Sequence, residues 1–357
     1  MKLKRKKNTE TTPAEEFNKA RATIRSSKNQ AHAFIEFRVN ASAAVLTKVG
    51  REFALHPSYK RQTWAVPFPK SLEQIPHRTY PYYLGEIKEI AWLTSILRAY
   101  GGQISEFVKL RSEVEAQFLL GNMSRVDSLL SSIEKEWGVS IWLVSQRINY
   151  HQVVGGLAAR NIYLRNLLSL SDQIPKPIAF AIVWLSYRAG ADISVSQIIR
   201  LLNDAFPLKF GAHHLMHLIM GRCPPVSPAT AGEMISHTDS WPAVDRYHFL
   251  LDTLAALLAS GNISDKIRIF VANRLEELSR SISDSRLYRL SFASGANPNK
   301  YTADAETANL LELYSQARYP ELLNAVSQAD DAGKISMEGL NLAVRSASIL
   351  GIDWELP

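Results

Sequence analysis

The densest chemistry in the chain is the run Gly211-Ala212-His213-His214-Leu215-Met216-His217. On a helix, His213 and His217 would lie one turn apart on one face, the spacing at which two imidazoles share a metal ion. The zinc-hydrolase pattern needs a Glu directly after the first His, and here His214 and Leu215 follow instead. A third ligand would have to come from Cys223, Glu233 or His237. A packing or surface histidine cluster demands less, so no metal and no other cofactor is expected. Cys223 is the single cysteine, which excludes an internal disulfide framework and any multi-cysteine metal site. A reactive thiolate needs a base or a helix N-terminus beside it. Cys223 is followed by Pro224-Pro225, and a small buried thiol at a turn fits that context better.

A second pairing is Arg51-Glu52-Phe53-Ala54-Leu55-His56, placed before Pro57 at a predicted helix end. Ribonucleases of the HEPN class set an Arg and a His four to six residues apart near a helix end, and this run resembles that arrangement, with Arg25 and His32 as a looser match. The resemblance implies metal-independent RNA cleavage by Arg51 and His56. In a chain with this many arginines such spacings also arise by chance. The plainer reading is a solvated Arg and a histidine at a helix C-terminus, where both charges suit the helix macrodipole.

The formal charge of +7 is unevenly spread. Residues 1–61 carry 14 Lys and Arg against 5 Asp and Glu, whereas residues 301–357 carry 3 against 9. The cluster Lys2, Lys4, Arg5, Lys6 and Lys7, joined further on by Lys60 and Arg61, favours polyanions through counterion release. A solvated tail that aids solubility is the simpler account of the first five. Trp64, Tyr80, Tyr82 and Tyr83 stand among Lys60, Arg61, Lys70 and Arg78. They could stack on single-stranded nucleic acid or hold a proline-rich peptide, but such aromatics more often pin a connector to the protein body. The opposite signs of the two ends also allow one copy's N-terminal arm to meet another copy's C-terminal face.

The elements that must position these residues read as helices almost throughout. Val114, Phe118 and Leu119, then Val126, Leu129, Leu130 and Ile133, follow helical spacing on either side of Gly121-Asn122-Met123-Ser124. That is the signature of an αα-hairpin whose turn uses Gly in the left-handed region. Leu254, Leu257 and Leu258 lead in the same way through Gly261-Asn262-Ile263-Ser264 to Ile267, Val271, Leu275 and Leu278. A looser copy runs from Leu310, Leu311 and Tyr314 through Pro320 to Leu322, Leu323 and Val326.

The three units suggest a degenerate helical repeat, and those around Phe118–Ile133 and Leu310–Val326 resemble tetratricopeptide-like hairpins, although the Trp…Leu-Gly…Tyr series of that family is missing. The resemblance implies an all-α fold of stacked antiparallel hairpins, an irregular α-solenoid or helical array, and no family-specific activity. Further helices are expected over 79–100, stopped by Gly101-Gly102, and over 139–170, with a kink, break or close approach at Gly155-Gly156. Others are expected over 178–189, 194–206 from a Ser194 cap, 240–260 and 336–350. Residues 33–39 could be strand or helix, and helix is favoured because no partner strand is evident. Prolines make 57–81 an extended connector and interrupt the chain again at 221–229.

The resulting division is a basic tail over 1–12 and a basic helical section over 13–78 ending in the proline connector. A helical body over 79–225 follows, and then C-terminal repeats over 226–357. The apolar stretch Pro177–Leu185 is too short to cross a bilayer, and no apolar segment follows the basic start, so the expected location is cytoplasmic. No phosphate-binding loop, dinucleotide fingerprint, nucleophile elbow or EF-hand loop occurs. The expectation is a non-enzymatic scaffold or adaptor for a protein partner. A nucleic-acid-binding subunit using residues 1–78 and a ribonuclease using Arg51 and His56 are the alternatives.

Overall fold

Short polar residues cap six of the helix starts. Thr12, Asn29, Ser42, Ser140, Ser227 and Ser264 each accept a bond from a backbone N–H of the first turn that follows, satisfying a donor with no partner inside the helix. Thr12 and Glu15 form a reciprocal capping box. The computed structural model describes residues 12–76, 84–190, 226–260, 263–294, 316–331 and 337–352, with positions 194, 196, 197, 200, 201, 204, 309, 310, 313 and 314 between them.

The helices are α1 (Pro13–Ser26), α2 (Gln30–Asn40), α3 (Ala43–Leu55), the single turn α4 (Lys60–Thr63) and α5 (Glu86–Leu97). They continue as α6 (Gly101–Leu119), α7 (Met123–Trp137), α8 (Ile141–Leu168), α9 (Lys176–Gly190) and α10 (Pro228–Ser236). The last are α11 (Ala243–Ala259), α12 (Asp265–Ser279), α13 (Ser285–Ala293), α14 (Tyr319–Asp331) and α15 (Met337–Leu350). Among the described residues no strand occurs, so the protein is all-α and residues 33–39 belong to α2.

The α6–α7 hairpin turns as its residues dictate. Gly121 sits at φ 70°, its N–H donates to the Phe118 carbonyl, and the Asn122 N–H donates to that of Gln117, a Schellman closure. At Gly101-Gly102 the expectation needs correction. α5 does end, at Leu97, but a 3-10 turn over Arg98–Tyr100 passes directly into α6, which begins at Gly101. Gly101 serves a close approach: a Cβ there would lie 2.4 Å from the Ser281 carbonyl oxygen.

The helix over Ile141–Leu168 breaks at Gly156 (φ 63°, ψ −158°). In a straight helix residues twelve apart are separated by roughly 18 Å, yet the rings of His151 and Tyr163 are 4.7 Å apart. The second half of α8 therefore folds back along the first. Ile148, Leu164, Ile178, Ile182 and Leu185 bury together where this hairpin meets α9.

The centre of the molecule is α5, whose residues Glu89–Leu97 are all buried. It packs against α3 from the N-terminal section and against α10, α11 and α12 from beyond residue 226. One apolar cluster runs from Phe17 to Leu287, so the divisions expected near 78 and 225 are not breaks in the core. A solenoid's units touch only their chain neighbours, and the surroundings of α5 do not follow that rule. A separate cluster joins Leu310, Leu313, Leu322, Val326, Leu342 and Ala343.

Beside α5 lies a buried charge group. Arg246 donates to Asp239 at 2.9 Å, and Arg38 lies 3.6 Å from the other Asp239 oxygen. Their guanidinium groups rest over Trp64 (4.5 Å) and Trp92 (4.7 Å) respectively. Burial, then the Asp239 charge, push the Glu89 carboxyl up to about 8.

Candidate functional site

The N-terminal section places its candidates separately. His56 is the C-cap residue of α3, and its Nδ1 accepts from the Ser58 N–H at 3.2 Å. Partial burial lowers its pKa, and Arg21 and Arg25 on α1 lower it further. The cations that bear on His56 are thus on α1, and Arg51 is not among them. Arg51 is exposed on α3, and His32 lies 3.5 Å from Glu36 with both exposed. Lys60 and Arg61 are exposed on α4.

The connector is tied down. Trp64 is buried, and its Nε1 donates to the Trp241 carbonyl at 3.0 Å, so its ring is not open to a base. The Pro67 and Pro69 carbonyls accept from Ala243 and Val139, and the Lys70 ammonium donates to the carbonyls of Lys135 and Glu136 at the end of α7. Lys2, Lys4, Arg5, Lys6, Lys7, Tyr80, Tyr82, Tyr83, His213, His217 and Cys223 lie outside the described residues. Among the described residues no three His, Cys, Asp or Glu side chains gather as metal ligands do.

What the sequence reading missed is a polar cleft of about 320 Å³ where α6, α8, α9, α11 and α13 meet. Two helices supply stripes at i, i+3, i+4 and i+7: Asp245, His248, Phe249 and Asp252 from α11, and Trp142, Ser145, Gln146 and Asn149 from α8. Arg111 and Glu115 of α6, Arg188 of α9 and Arg286 of α13 complete the wall. These stripes were readable as polar positions at helical spacing in otherwise apolar segments. Their convergence, from residues over 170 positions apart, was not.

The charges in the cleft are organised. Asp245 accepts from the backbone N–H groups of Ile141 (2.8 Å) and Trp142 (3.0 Å), holding the start of α8. Enclosure outweighs those bonds and pushes its carboxyl up to about 7. The Arg111 guanidinium lies 3.2 Å from His248 Nε2. Because Arg can only donate, Nε2 is the acceptor and the ring proton sits on Nδ1. Arg111 also meets Glu115 at 3.2 Å. Arg286 and the Tyr247 hydroxyl both donate to Asp284 at 2.9 Å. Burial alone would raise Asp284, but Arg286 and Arg111 more than reverse it and hold the carboxyl at about 2.

No family model, curated protein or solved structure matches this chain. Its functional reading therefore rests on its own surfaces.

The second feature of note is the tip of the α8 hairpin. Val153, Val154, Leu157 and Ile162 are each more than half exposed, around Gly155-Gly156. Among the described residues no helix is long and apolar enough to cross a membrane.

Proposed function

We propose that this chain is a non-enzymatic helical adaptor that binds a protein partner within an intracellular complex. The observation that supports this is the exposed apolar tip of α8. Four large aliphatic side chains exposed between residues 153 and 162 on either side of one glycine bend lose favourable burial unless something covers them. The test is capture with tagged protein against a Val153→Asp/Leu157→Asp variant. These side chains contribute little to the core, so circular dichroism and melting should stay as in the parent. Stoichiometric recovery of a protein by the parent, lost in the variant, is the expected result. Equal recovery by both, or recovery of nothing even at low salt, would refute the reading.

A second reading is binding of nucleic acid through the basic section. It is favoured by the convergence of Arg21 and Arg25 on His56, near the exposed Lys60 and Arg61. Affinity for a single-stranded RNA should then drop steeply with added salt. If the section cleaves RNA, His56→Ala should abolish cleavage without altering the circular dichroism, and persisting cleavage would rule out His56.

A further inference from the structure

The polar cleft is independent of the α8 tip and of the basic section, and none of the readings above uses it. Its volume, about 320 Å³, falls within the range of small-ligand sites. Three guanidinium groups from three different helices line it: Arg111 (α6), Arg188 (α9) and Arg286 (α13). Two of these cations have carboxylate partners, Glu115 beside Arg111 and Asp284 beside Arg286, so the concavity presents guanidinium groups fixed in orientation rather than a bare positive field. Burial and the neighbouring Arg286 both act to lower the Arg111 pKa, so the two cations feel each other across the wall.

The fixed partners already present hold the arginines in place. Asp284, almost fully enclosed, grips Arg286 from behind. Glu115 and His248 anchor Arg111. These contacts orient the guanidinium groups, as supporting bonds orient ligand-binding residues generally. Ser145, Gln146 and Asn149 add hydroxyl and amide donors along one stripe of α8, and Trp142 and Phe249 supply apolar walls. The start of α8 takes no part as a donor, since Asp245 occupies the Ile141 and Trp142 N–H groups.

We propose that this cleft binds a small oxyanion-bearing ligand, carboxylate or phosphate, gripped by Arg111 and Arg286, with Arg188 on the exposed rim. Planar guanidinium groups match the paired oxygens of either anion. Asp252, on the α11 stripe, faces the same space and selects ligands that also carry a hydroxyl or amine over bare multiply charged anions. Lactate, a hydroxylated monocarboxylate, and inorganic phosphate are therefore the probes, and their relative affinities separate the two anion sources.

The experiment is titration calorimetry on the full chain with each probe, against chloride at matched ionic strength. Tryptophan fluorescence of the parent and of Trp142→Phe serves as a location readout. Saturable binding of at least one probe is expected, with a fluorescence change absent from Trp142→Phe. Arg188→Gln, at an exposed position, should fold normally and weaken binding by about tenfold or more, the loss that follows from one charge-assisted hydrogen bond. Arg111→Lys should weaken it similarly by removing the planar fork while keeping the charge. No saturable binding of either probe would overturn the proposal. So would binding that Arg188→Gln and Arg111→Lys leave unchanged, or a fluorescence change that survives in Trp142→Phe.

Discussion

Asp245 shows how one residue can serve packing and limit it. Its two oxygens hold the first turn of α8, but enclosure raises its pKa to about 7, so the folded protein prefers it protonated. A carboxyl raised on folding contributes stability that is complete below its unfolded value, near 4, and is lost as pH climbs through the folded value. Glu89, at about 8, behaves in the same sense. Asp284, held at about 2, has the opposite sign and loses its contribution only in strong acid. His56, His151 and His237, all lowered mainly by burial, add stability as pH rises toward 6.5, where the gain is complete, and so mask part of the slope in the parent. The clean measurement is therefore a difference. The stability advantage of the parent over Asp245→Asn should shrink from pH 5 to pH 8, by an amount on the order of a few kcal/mol. An advantage that grows over that interval would show that the ionised form is the favoured one. Asp239 carries a sharper expectation. Replacing it with Asn leaves Arg38 and Arg246 with only the neighbouring Glu89 as counter-charge, and breaking one side of a buried pair costs about 3–5 kcal/mol. A loss below about 1 kcal/mol in urea unfolding would mean that Glu89 and the two tryptophan faces suffice to hold the cations. None of these acids stood out in the sequence, because an acid within a helix, such as Asp245 or Glu89, or in a turn beside one, such as Asp239 or Asp284, reads the same whether it faces water or a core.

At the scale of elements, local signals carried far. The caps, the left-handed Gly121 and the αα-hairpins follow from residues that are neighbours in sequence, so periodicity and turn chemistry expose them. The bend of α8 was legible as Gly155-Gly156, but its sharpness was not, since a glycine pair permits a kink without dictating its angle. Gly156 sits at φ 63°, ψ −158°, a region that non-glycine residues essentially never occupy. Gly156→Ala should cost on the order of 2–3 kcal/mol or straighten α8 and release its second half from α9. Hydrogen exchange over 157–168 would report either outcome, and unchanged protection with an unchanged melt would contradict it. The adjacent pair at the start of α6 offers a control with opposite signs. Gly101→Ala drives a Cβ into the Ser281 carbonyl, whereas a Cβ on Gly102 meets nothing within 4 Å. The first should destabilise by about 1–3 kcal/mol, and the second should stabilise by a few tenths, up to about 1 kcal/mol. What no local signal carried was the position of α5. Its apolar residues announce a buried helix, yet its neighbours α3, α10, α11 and α12 come from both ends of the chain, and nothing in a window of fifteen residues names them.

For the whole molecule, the long-range packing around α5 changes the meaning of the charge asymmetry. The basic section is not a detachable arm: Phe17, Phe34 and Phe53 belong to the same core as Leu250 and Leu275. The cations of α1 to α4 are therefore carried on helices packed into the common core. The acidic excess over 301–357 coincides with the separate Leu310–Ala347 cluster. If the two ends meet between copies, the contact is electrostatic, and such contacts between exposed charges fade beyond a Debye length of about 10 Å at 0.1 M salt. Light scattering should then show a mass well above the 40.0 kDa of one chain at low ionic strength, returning to that value in high salt. Deleting residues 1–11 spares the Thr12 cap and its bond to Glu15, so α1 still starts correctly. That protein should remain at the mass of one chain under both conditions. The deletion also separates this contact from association through the apolar α8 tip. Burial of aliphatic side chains strengthens in the presence of excluded salts such as sulfate, and it should survive the loss of the tail. A mass that is the same with and without residues 1–11 removes the charge-driven contact, and a mass that rises with sulfate in both proteins assigns self-association to Val153, Val154, Leu157 and Ile162 instead.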